Sequence, residues 1–399
     1  MAALFACITL VIWLVLRFFR GDFWRVDLPP RAKMAVTRTW PEVVAIVPAR
    51  NEADVVGRAV TSLLTQDYPG VLNVFVIDDH SDDGTAEAAR AAAQLLGEAS
   101  AARLHIVEAR ALPTGWSGKV WAQAEGIAAA EAFAANAEWF WLTDADIVHP
   151  AHGLSDLVAR GIDDRLDLVS LMVRLRCDSF AERWLIPAFV FFFAKLYPFS
   201  WVADNARGTS GAAGGCILLR ATALHRIGGL AAIKGALIDD CSLAEQVKYG
   251  GAIRLDLADE AWSIRPYDGW QDIWNMIART AYTQLRYSPW LLIGATCGMI
   301  LTYVMPPLLT IIGLFSGAWW TLPAALAWFI MAMSYRPMLR YYGQSAKAAV
   351  LLPLVALFYM AATLDSGRRH WLGKGGQWKG RAQASNVLSD ETLERAKKK

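Results

Sequence analysis

The sequence has no strong excess of charge of either sign. Its 399 residues include 39 Lys and Arg and 37 Asp and Glu, which gives a formal net charge of +2. No overall positive field therefore argues for nucleic acid as a partner. The five cysteines are scattered, and no two of them show metal-ligand spacing. We expect free thiols in a reducing compartment.

Two common nucleotide-binding motifs are also missing. The Gly-rich stretch GTSGAAGGC at 208–216 lacks the Gly-Lys-Ser/Thr ending of a P-loop, so a P-loop protein is excluded. No Gly-x-Gly-x-x-Gly follows the first predicted strand, which argues against a dinucleotide-dependent oxidoreductase. The glycines at 208–216 would still let the backbone approach a ligand closely.

The sequence is instead rich in apolar residues. Hydrophobic residues make up 55% of the chain, and the mean hydropathy is positive. This composition predicts that part of the surface faces lipid. The apolar segment 3–16 is followed by Arg17, Arg20 and Arg25, the reverse of the order in a cleaved signal peptide. We expect an uncleaved anchor over 1–20 with its start outside the cytoplasm, or alternatively a buried N-terminal helix.

Apolar blocks return near the C-terminus, at 290–315, 319–335 and 348–364. They predict a transmembrane region over 289–366, followed by a basic tail over 367–399. Three full spans would place this tail outside, against the positive-inside tendency. One block is therefore expected to be re-entrant or interfacial.

The segment 184–201 is also apolar, but it carries Lys195 and has Pro187 and Pro198 near its ends. A full crossing here would separate two acidic clusters of the chain on opposite sides of the membrane. We therefore expect a helix lying in the membrane interface. A plain buried helix is the alternative.

Residues 41–288 have the pattern of an α/β domain. Helical stretches such as 52–65 and 85–96 lie between runs of β-branched and aromatic residues, and this alternation predicts a parallel sheet covered by helices. Ligands of such sheets bind beyond the carboxyl ends of the strands. The predicted strands are 43–49, 71–79, 139–144, 166–175 and 252–257.

Paired carboxylates follow the aromatic strand 139–144. Asp144 and Asp146 stand at i and i+2, so their side chains point the same way from an extended backbone. Such a pair repels unless a cation lies between its members, and oxygen ligands suit Mg²⁺ or Mn²⁺. A solvated turn is the alternative. His149 would be a further ligand or a hydrogen-bonding residue of the loop.

Other strand ends carry polar residues too. Asp78 and Asp79 end the second strand, where a carboxylate could bind a base edge or a ribose hydroxyl, or cap the next helix. Pro48 would stiffen the turn after the first strand, and Glu52 would help to cap the following helix.

Two further charged motifs stand before predicted helices. Lys119, flanked by glycine, is a natural partner for a diphosphate, although an exposed loop lysine would look the same. Asp239 and Asp240 precede an amphipathic helix, where an acid could be a helix cap or a general base.

Taken in chain order, these motifs resemble those of the family 2 glycosyltransferases over roughly residues 41–290. Within that family the chain is similar to ceramide glucosyltransferase-like members, and most similar to hopene-associated glycosyltransferases of the HpnB type. The motifs are VPARNE (47–52), DDHSDDGT (78–85), GWSGK (115–119), DAD (144–146), GGCILLR (214–220) and IDDCSLAEQ (238–246).

The resemblance implies a GT-A (Rossmann-like) nucleotide-sugar-binding domain with membrane helices at both ends. Matching positions imply that Pro48, Glu52, Asp78 and Asp79 hold the nucleotide, that Lys119 meets the diphosphate, and that Asp144 and Asp146 hold Mg²⁺ or Mn²⁺, with Asp144 also near the ribose.

The motifs that would act on the acceptor and the leaving group differ in part from the family pattern. Asp240 matches the catalytic base of the family, and Asp239 replaces the usual glutamate. Arg286 matches the arginine of the Gln-x-x-Arg-Trp signature and would bind the leaving diphosphate. The signature is altered here to TQLRYS, because Thr283 stands at the glutamine position. This change argues against a processive polymer synthase.

The resemblance thus implies an inverting glycosyltransferase that moves a sugar from a nucleotide-diphosphate sugar to a lipid, as part of hopanoid biosynthesis. We expect a multi-pass protein of the inner membrane with a cytoplasmic catalytic domain. The alternatives are transfer to polyprenyl phosphate, a carotenoid or a polysaccharide, and a membrane-bound binding protein without catalysis.

Overall fold

The computed structural model describes residues 1–31 and 39–373 and two short strands beyond them. The basic tail expected over 367–399 therefore lies mostly outside the described residues. The described chain divides into two compact units. The helical unit contains 1–27, 176–201 and 266–373, and the sheet unit contains 28–31, 39–175, 202–265 and the two short strands. The domain limits expected from the sequence stay a prediction.

The strands fall into one large sheet and one small hairpin. In chain order they are β1 (Val43–Ala49), β2 (Leu72–Asp78), β3 (Leu104–Glu108), β4 (Trp139–Thr143), β5 (Ile147–Val148), β6 (Leu168–Arg174), β7 (Cys216–Arg220), β8 (Ile253–Ser263), β9 (Gln377–Trp378) and β10 (Arg381–Ala382). The large sheet has the order β3-β2-β1-β4-β7-β6-β8-β5, and β9 pairs with β10.

Helices flank these strands and make up most of the helical unit. In chain order the α-helices are α1 (Ala2–Phe19), α2 (Ala53–Leu64), α3 (Thr85–Leu95), α4 (Glu98–Ala101), α5 (Gly118–Phe133), α6 (Gly153–Asp163), α7 (Phe180–Leu196), α8 (Phe199–Ala203), α9 (Ala221–Arg226), α10 (Asp239–Lys248), α11 (Trp270–Gln284), α12 (Pro289–Met299), α13 (Met305–Ser316), α14 (Thr321–Tyr341) and α15 (Leu352–Trp371).

One half of the large sheet is parallel. Strand β1 pairs in parallel with β2 and β4, and β2 pairs in parallel with β3. The register places Ala49 beside Asp78, and Asp78 beside Glu108. The carboxyl ends of these strands therefore meet at one edge, where the polar motifs of the sequence follow them.

The expectation of a wholly parallel sheet is wrong, because β7 runs antiparallel between β4 and β6. The sequence predicted no strand here, because β7 begins inside the Gly-rich stretch 208–216. The antiparallel direction has a consequence for the site. It pairs Thr143 with Cys216 and so brings Gly214 and Gly215 to the edge where β4 ends.

Glycine allows helices to lie directly on the sheet. A Cβ added to Gly126 of α5 would lie 2.7 Å from Ile46 Cγ2 and 2.8 Å from Ile77 Cγ1. A Cβ on Gly161 of α6 would lie 2.7 Å from the fully buried Trp139 ring. Interiors are packed as densely as organic crystals, so these glycines set how closely helix and sheet approach.

Three helical segments of the helical unit are long and apolar enough to cross a membrane: Ala2–Phe19, Pro289–Ser316 and Ala346–Trp371. The second is continuous, because a π-helical segment, Ile300–Val304, joins α12 to α13. Helix α14 is 21 residues long but is not among these candidates.

Helix α7 covers most of the segment expected in the membrane interface. It begins with a capping box in which Ser179 accepts a hydrogen bond from the Glu182 amide. Nine of its 17 residues are buried within the helical unit. Near its end, Lys195 Nζ donates to Tyr303 Oη at 2.7 Å. Its position at a membrane interface stays a prediction.

Candidate active site

The loops that follow β1 and β2 are locked together by hydrogen bonds. The Asn51 amide donates to Ser81 Oγ at 3.0 Å, and the Asp82 amide donates to Asn51 Oδ1 at 3.1 Å. Asn51 has a φ of 52°, in the left-handed region that asparagine tolerates better than most residues. Two of the predicted donor-binding motifs thus form one surface.

Asp83 is the capping residue of this surface. Its carboxylate accepts from the Ala53 amide at 2.9 Å and from the Thr85 amide at 3.0 Å, at the starts of α2 and α3. Burial opposes its ionised form, but these hydrogen bonds and one from the Thr85 hydroxyl lower its pKa. The Glu52 amide in turn donates to Thr85 Oγ1 at 2.8 Å. Asp83 therefore accepts hydrogen bonds from the amides at the starts of α2 and α3, so Asp78 and Asp79 are not needed as caps there.

The remaining residues predicted to hold the nucleotide lie along the same edge. Pro48 is inside β1, beside Ile77, and not in the turn that follows it. Asp78 ends β2, and its Oδ1 accepts from the Ser81 amide at 3.3 Å. Asp79 is fully buried, with Arg50 Nη1 3.7 Å from its Oδ2. Contacts of these residues with a nucleotide stay a prediction.

Lys119 connects two of the acidic motifs. It lies in the first turn of α5, and its Nζ is 2.7 Å from Asp144 Oδ1 and 3.6 Å from Asp239 Oδ2. Burial disfavours the charged amine, but Asp144, Asp239 and Asp240 outweigh this effect and raise the pKa of Lys119. Burial also raises the pKa of Asp144, and Lys119 opposes this shift. The lysine is therefore a permanent cation of the site.

Asp240 lies beside this ion pair, in the first turn of α10. Its Oδ2 accepts from the Gly214 amide at 2.8 Å, and its Oδ1 accepts from the Cys241 amide at 2.7 Å. Burial and the neighbouring Asp239 raise the pKa of Asp240 to about 6, against the opposing effects of Lys119 and the two amides.

Gly214 fits closely between the two charged groups. A Cβ there would lie 2.9 Å from Lys119 Nζ and 3.4 Å from Asp240 Oδ2. The Gly-rich stretch therefore places its backbone next to Lys119 and Asp240. Because residue 214 has no side chain, both charged groups fit beside it.

Asp146 is held by two residues that the sequence did not single out. Ser263 Oγ donates to Asp146 Oδ2 at 2.7 Å, and Arg265 Nε lies 3.4 Å from the same oxygen. Arg265 Nη2 also contacts both oxygens of Glu52, at 2.6 and 2.8 Å. The only signal in the sequence is the Ser-x-Arg spacing at the end of β8, which places both side chains on one side of the strand.

His149 contacts two residues of β4. Its Nε2 is 2.9 Å from Thr143 Oγ1, and its ring packs 4.5 Å from the Trp141 ring. Burial lowers its pKa to about 3, so the ring is neutral. These contacts are those of a hydrogen-bonding residue of the loop, which was one of the two alternatives for His149.

Arg286 belongs to the helical unit, in the turn that follows α11. Arg286 and Tyr287 have φ values of 51° and 54°, both in the left-handed region. Its predicted role at the leaving diphosphate stays a prediction.

The fold of this chain is similar to that of a solved mannosyltransferase structure. Among solved structures, the mannosyltransferase PcManGT of Pyrobaculum calidifontis, in complex with GDP-Man and Mn²⁺, is 20% identical and covers 92% of this chain and 99% of its own, with a TM-score of 0.52. Glucosyl-3-phosphoglycerate synthase of Mycobacterium tuberculosis (17% identity, 62% and 79% coverage, TM-score 0.39) and TarS of S. aureus (13% identity, 84% and 92% coverage, TM-score 0.38) are more distant.

Sequence comparison gives a partial match. No curated protein sequence matches the chain. Residues 44–228, however, match the model of Glycosyl transferase family 2, and this range contains β2, β4 and β7. Together with the similarity to the mannosyltransferase structure, this match confirms the predicted GT-A-like α/β fold, with apolar helices near both ends of the chain. Residues 44–228 are therefore similar to glycosyl transferase family 2.

Proposed function

We propose that the protein is a membrane-bound inverting glycosyltransferase that moves a sugar from a nucleotide-diphosphate sugar to a lipid. The observation that carries this proposal is the convergence of three motifs on Lys119, whose amine contacts Asp144 and Asp239 beside Asp240. Asp144 belongs to the predicted donor site, and Asp240 is the predicted base. A sugar between them would be close to both.

The carboxylates of this edge suit a divalent cation. Lys119 engages Asp144 through Oδ1, and Ser263 engages Asp146 through Oδ2, so each contact uses one of the two carboxylate oxygens. Within the described ranges, no three His, Cys, Asp or Glu side chains are grouped so that they could hold a metal ion by themselves. A Mg²⁺ or Mn²⁺ ion held by two carboxylates would take its other ligands from a diphosphate and water.

Asp144 and Asp146 would hold that ion. When bound, it would neutralise charge on the diphosphate as the sugar leaves. The mannosyltransferase of similar fold was solved with GDP-Man and Mn²⁺, and we infer the same classes of donor and cation here.

The transfer itself would use Asp240 and Lys119. Asp240, ionised above pH 6, accepts the proton of the acceptor hydroxyl as that oxygen attacks the anomeric carbon. The bond from the sugar to the diphosphate breaks on the opposite face, and the diphosphate leaves with the bonding electrons. Lys119 stabilises the negative charge that develops there. We assign Arg286 to the same leaving group and the residues Pro48, Glu52, Asp78 and Asp79 to the nucleotide.

The membrane helices support a lipid acceptor. A lipid is scarce in water, and a chain carrying three candidate spans works where such acceptors are concentrated. The resemblance to hopene-associated glycosyltransferases and to ceramide glucosyltransferase-like proteins points to a hopanoid-related lipid. We further propose an inner-membrane location with the catalytic domain in the cytoplasm, because Arg17, Arg20 and Arg25 follow the first span.

The substitution Asp240→Asn tests the base. It should reduce sugar transfer at least about 100-fold, because proton removal by a placed base contributes roughly 10²–10⁴-fold. Binding of the nucleotide should change little. Transfer to membrane lipids and nucleotide affinity by calorimetry should be measured on the same preparation, with Asp259→Asn, an exposed position of β8, as the control. Near-normal transfer by Asp240→Asn would show that the base is another residue.

The acceptor is identified by lipid mass spectrometry of a deletion strain and its parent. A glycosylated hopanoid present only in the parent would support the proposal and would identify sugar and lipid together. Loss of a glycosylated polyprenyl phosphate, carotenoid or polysaccharide would replace the lipid assignment. Absence of nucleotide-sugar binding by the purified protein would favour a binding protein without catalysis.

A further inference from the structure

Arg265 is a cation placed between two parts of the proposed donor site. Its Nη2 contacts both carboxylate oxygens of Glu52, which follows β1, and its Nε is 3.4 Å from Asp146 Oδ2, after β4. The carboxylates of Glu52 and Asp146 are only 9% and 10% exposed, whereas the arginine side chain is 34% exposed. The arginine therefore approaches two largely buried acids from the more open side.

The sheet determines this position. Strand β5, directly after the paired carboxylates, pairs antiparallel with the end of β8, so that Ile147 lies beside Ser263. The Ile264 amide donates to the Asp146 carbonyl at 2.9 Å, which continues the pairing. Ser263 and Arg265, two residues apart, are thereby brought to the same carboxylate. The contact is built into the sheet and does not depend on a surface loop.

The arginine and a divalent cation would compete for the same negative charge. Glu52 and Asp146 carry two negative charges, and Arg265 neutralises one of them. A metal ion held by Asp146 would lie close to the guanidinium, because Arg265 Nε is 3.4 Å from Asp146 Oδ2. Like charges at this distance repel strongly in a partly desolvated site. A bound diphosphate relieves this repulsion, because it adds negative charge and accepts paired hydrogen bonds from arginine.

We propose that Arg265 is a positioning residue that supplies the positive charge beside Glu52 and Asp146 until a nucleotide diphosphate arrives, so that cation and nucleotide bind together. This inference rests on the proposed function, in which Asp146 binds the cation. It concerns the order and coupling of binding and leaves the transfer step unchanged. If the nucleotide diphosphate reduces the repulsion between Arg265 and the cation, the nucleotide raises the affinity for the cation. By linkage, the cation then raises the affinity for the nucleotide by the same factor.

The test is a titration of the full-length, detergent-purified protein with Mn²⁺ alone, followed by electron paramagnetic resonance of the free ion. The wild-type protein should bind Mn²⁺ weakly, and Arg265→Met should bind it at least tenfold more tightly, because a positive charge beside the carboxylates of Glu52 and Asp146 is removed. Arg265→Lys, which keeps the charge, should remain close to the wild type.

The control is Arg254→Met in β8, the strand that precedes Arg265. Arg254 pairs with Asp164 and Asp256, so this variant removes one positive charge and two ion pairs outside the proposed donor site. It should leave Mn²⁺ affinity unchanged. Thermal unfolding of each variant verifies that it is folded.

The titration is then repeated with GDP and with UDP. For the nucleotide that binds, Mn²⁺ affinity of the wild-type protein should rise steeply, and that of Arg265→Met should rise much less. Equal Mn²⁺ affinity of wild type and Arg265→Met without nucleotide would overturn the role of Arg265 and leave the proposed function standing. Failure of all proteins to bind Mn²⁺ with either nucleotide would overturn the proposed cation site as well.

Discussion

Single residues at the sheet edge carry an unbalanced charge. Two cations, Lys119 and Arg265, stand among five carboxylates, which leaves an excess of three negative charges before any ligand binds. Burial and the neighbouring Asp239 raise the pKa of Asp240 to about 6, against the opposing effect of Lys119. The carboxylates are Glu52, Asp144, Asp146, Asp239 and Asp240.

The raised pKa of Asp240 predicts how the reaction rate depends on pH. The base must be ionised, so kcat/KM should fall as the pH decreases through about 6, approaching tenfold per unit below it. Lys119 favours the ionised form of Asp240, so Lys119→Gln should move this fall to higher pH. The same variant should lower kcat about 100- to 1000-fold, because the leaving diphosphate loses a fixed cation.

The measurement is the pH profile of transfer for the wild type, for Lys119→Gln and for Lys234→Gln, whose side chain is exposed. The last variant should match the wild type in both rate and profile. If Lys119→Gln lowered the rate but left the pH profile unshifted, Lys119 would not influence the pKa of Asp240 that controls the reaction.

The residues of the site were predictable to different degrees. Asp144, Lys119 and Asp240 stand in short motifs directly beside a strand or helix, and the structure brings these three together. Ser263 and Arg265 were not predictable, because they lie more than 110 positions after Asp146 and belong to no motif. Only the antiparallel pairing of β5 with β8 makes them neighbours of that carboxylate.

At the scale of secondary-structure elements, continuous apolar runs were predictable as strands. The runs 43–49 and 71–79 correspond to β1 and β2 within one residue at either end, and the five-residue β4 was predicted from its aromatic run. By contrast, β3 and β7 were not predicted, because β3 is only partly buried and β7 begins inside the Gly-rich stretch. Because β7 was not predicted, the antiparallel part of the sheet was not predicted either. The contact between Gly214 and Asp240 depends on that part of the sheet.

Two helical glycines should respond in opposite directions to the same substitution. Gly126→Ala should destabilise the protein by about 1–3 kcal/mol, because the new methyl would lie 2.7 Å from the Ile46 side chain. Gly57→Ala in α2 should stabilise it by roughly 0.5–1 kcal/mol, because its Cβ would find contacts at 3.6 Å and alanine favours a helix.

Thermal unfolding of both variants and the wild type in one detergent buffer provides the comparison. Each glycine is the internal control for the other, since both are replaced by alanine within a helix of the sheet unit. If Gly126→Ala unfolded at the wild-type temperature, α5 would not pack as closely on β1 and β2 as described.

The whole molecule combines an α/β sheet unit with a helical unit whose apolar surface is unusual for a water-soluble protein. On α13, Leu314 and Phe315 are 69% and 91% exposed, and on α1 Phe18 is 66% exposed. Apolar side chains in such positions face lipid in proteins that cross a membrane. The sequence predicted these segments well, because the length and composition of a span are local properties of the chain.

We therefore expect the protein to remain in the membrane pellet after washes with high salt and with alkaline carbonate, and to be released by detergent. Salt removes proteins that are held by charge, and carbonate removes those held at the surface, whereas spanning helices resist both. Immunoblots of each fraction, with a known peripheral protein as the control, provide the measurement. Release by carbonate would contradict the assignment of spanning helices.

The chain enters the helical unit at 176–201 before it returns to complete the sheet. Strands β4 and β6 are consequently synthesised before β7, the strand that joins them. On the ribosome the middle of the sheet must wait until α7 has emerged, and only then can Gly214 meet Asp240. Removing 176–201 would leave every strand of the large sheet in place, and it would require a link from residue 175 to residue 202.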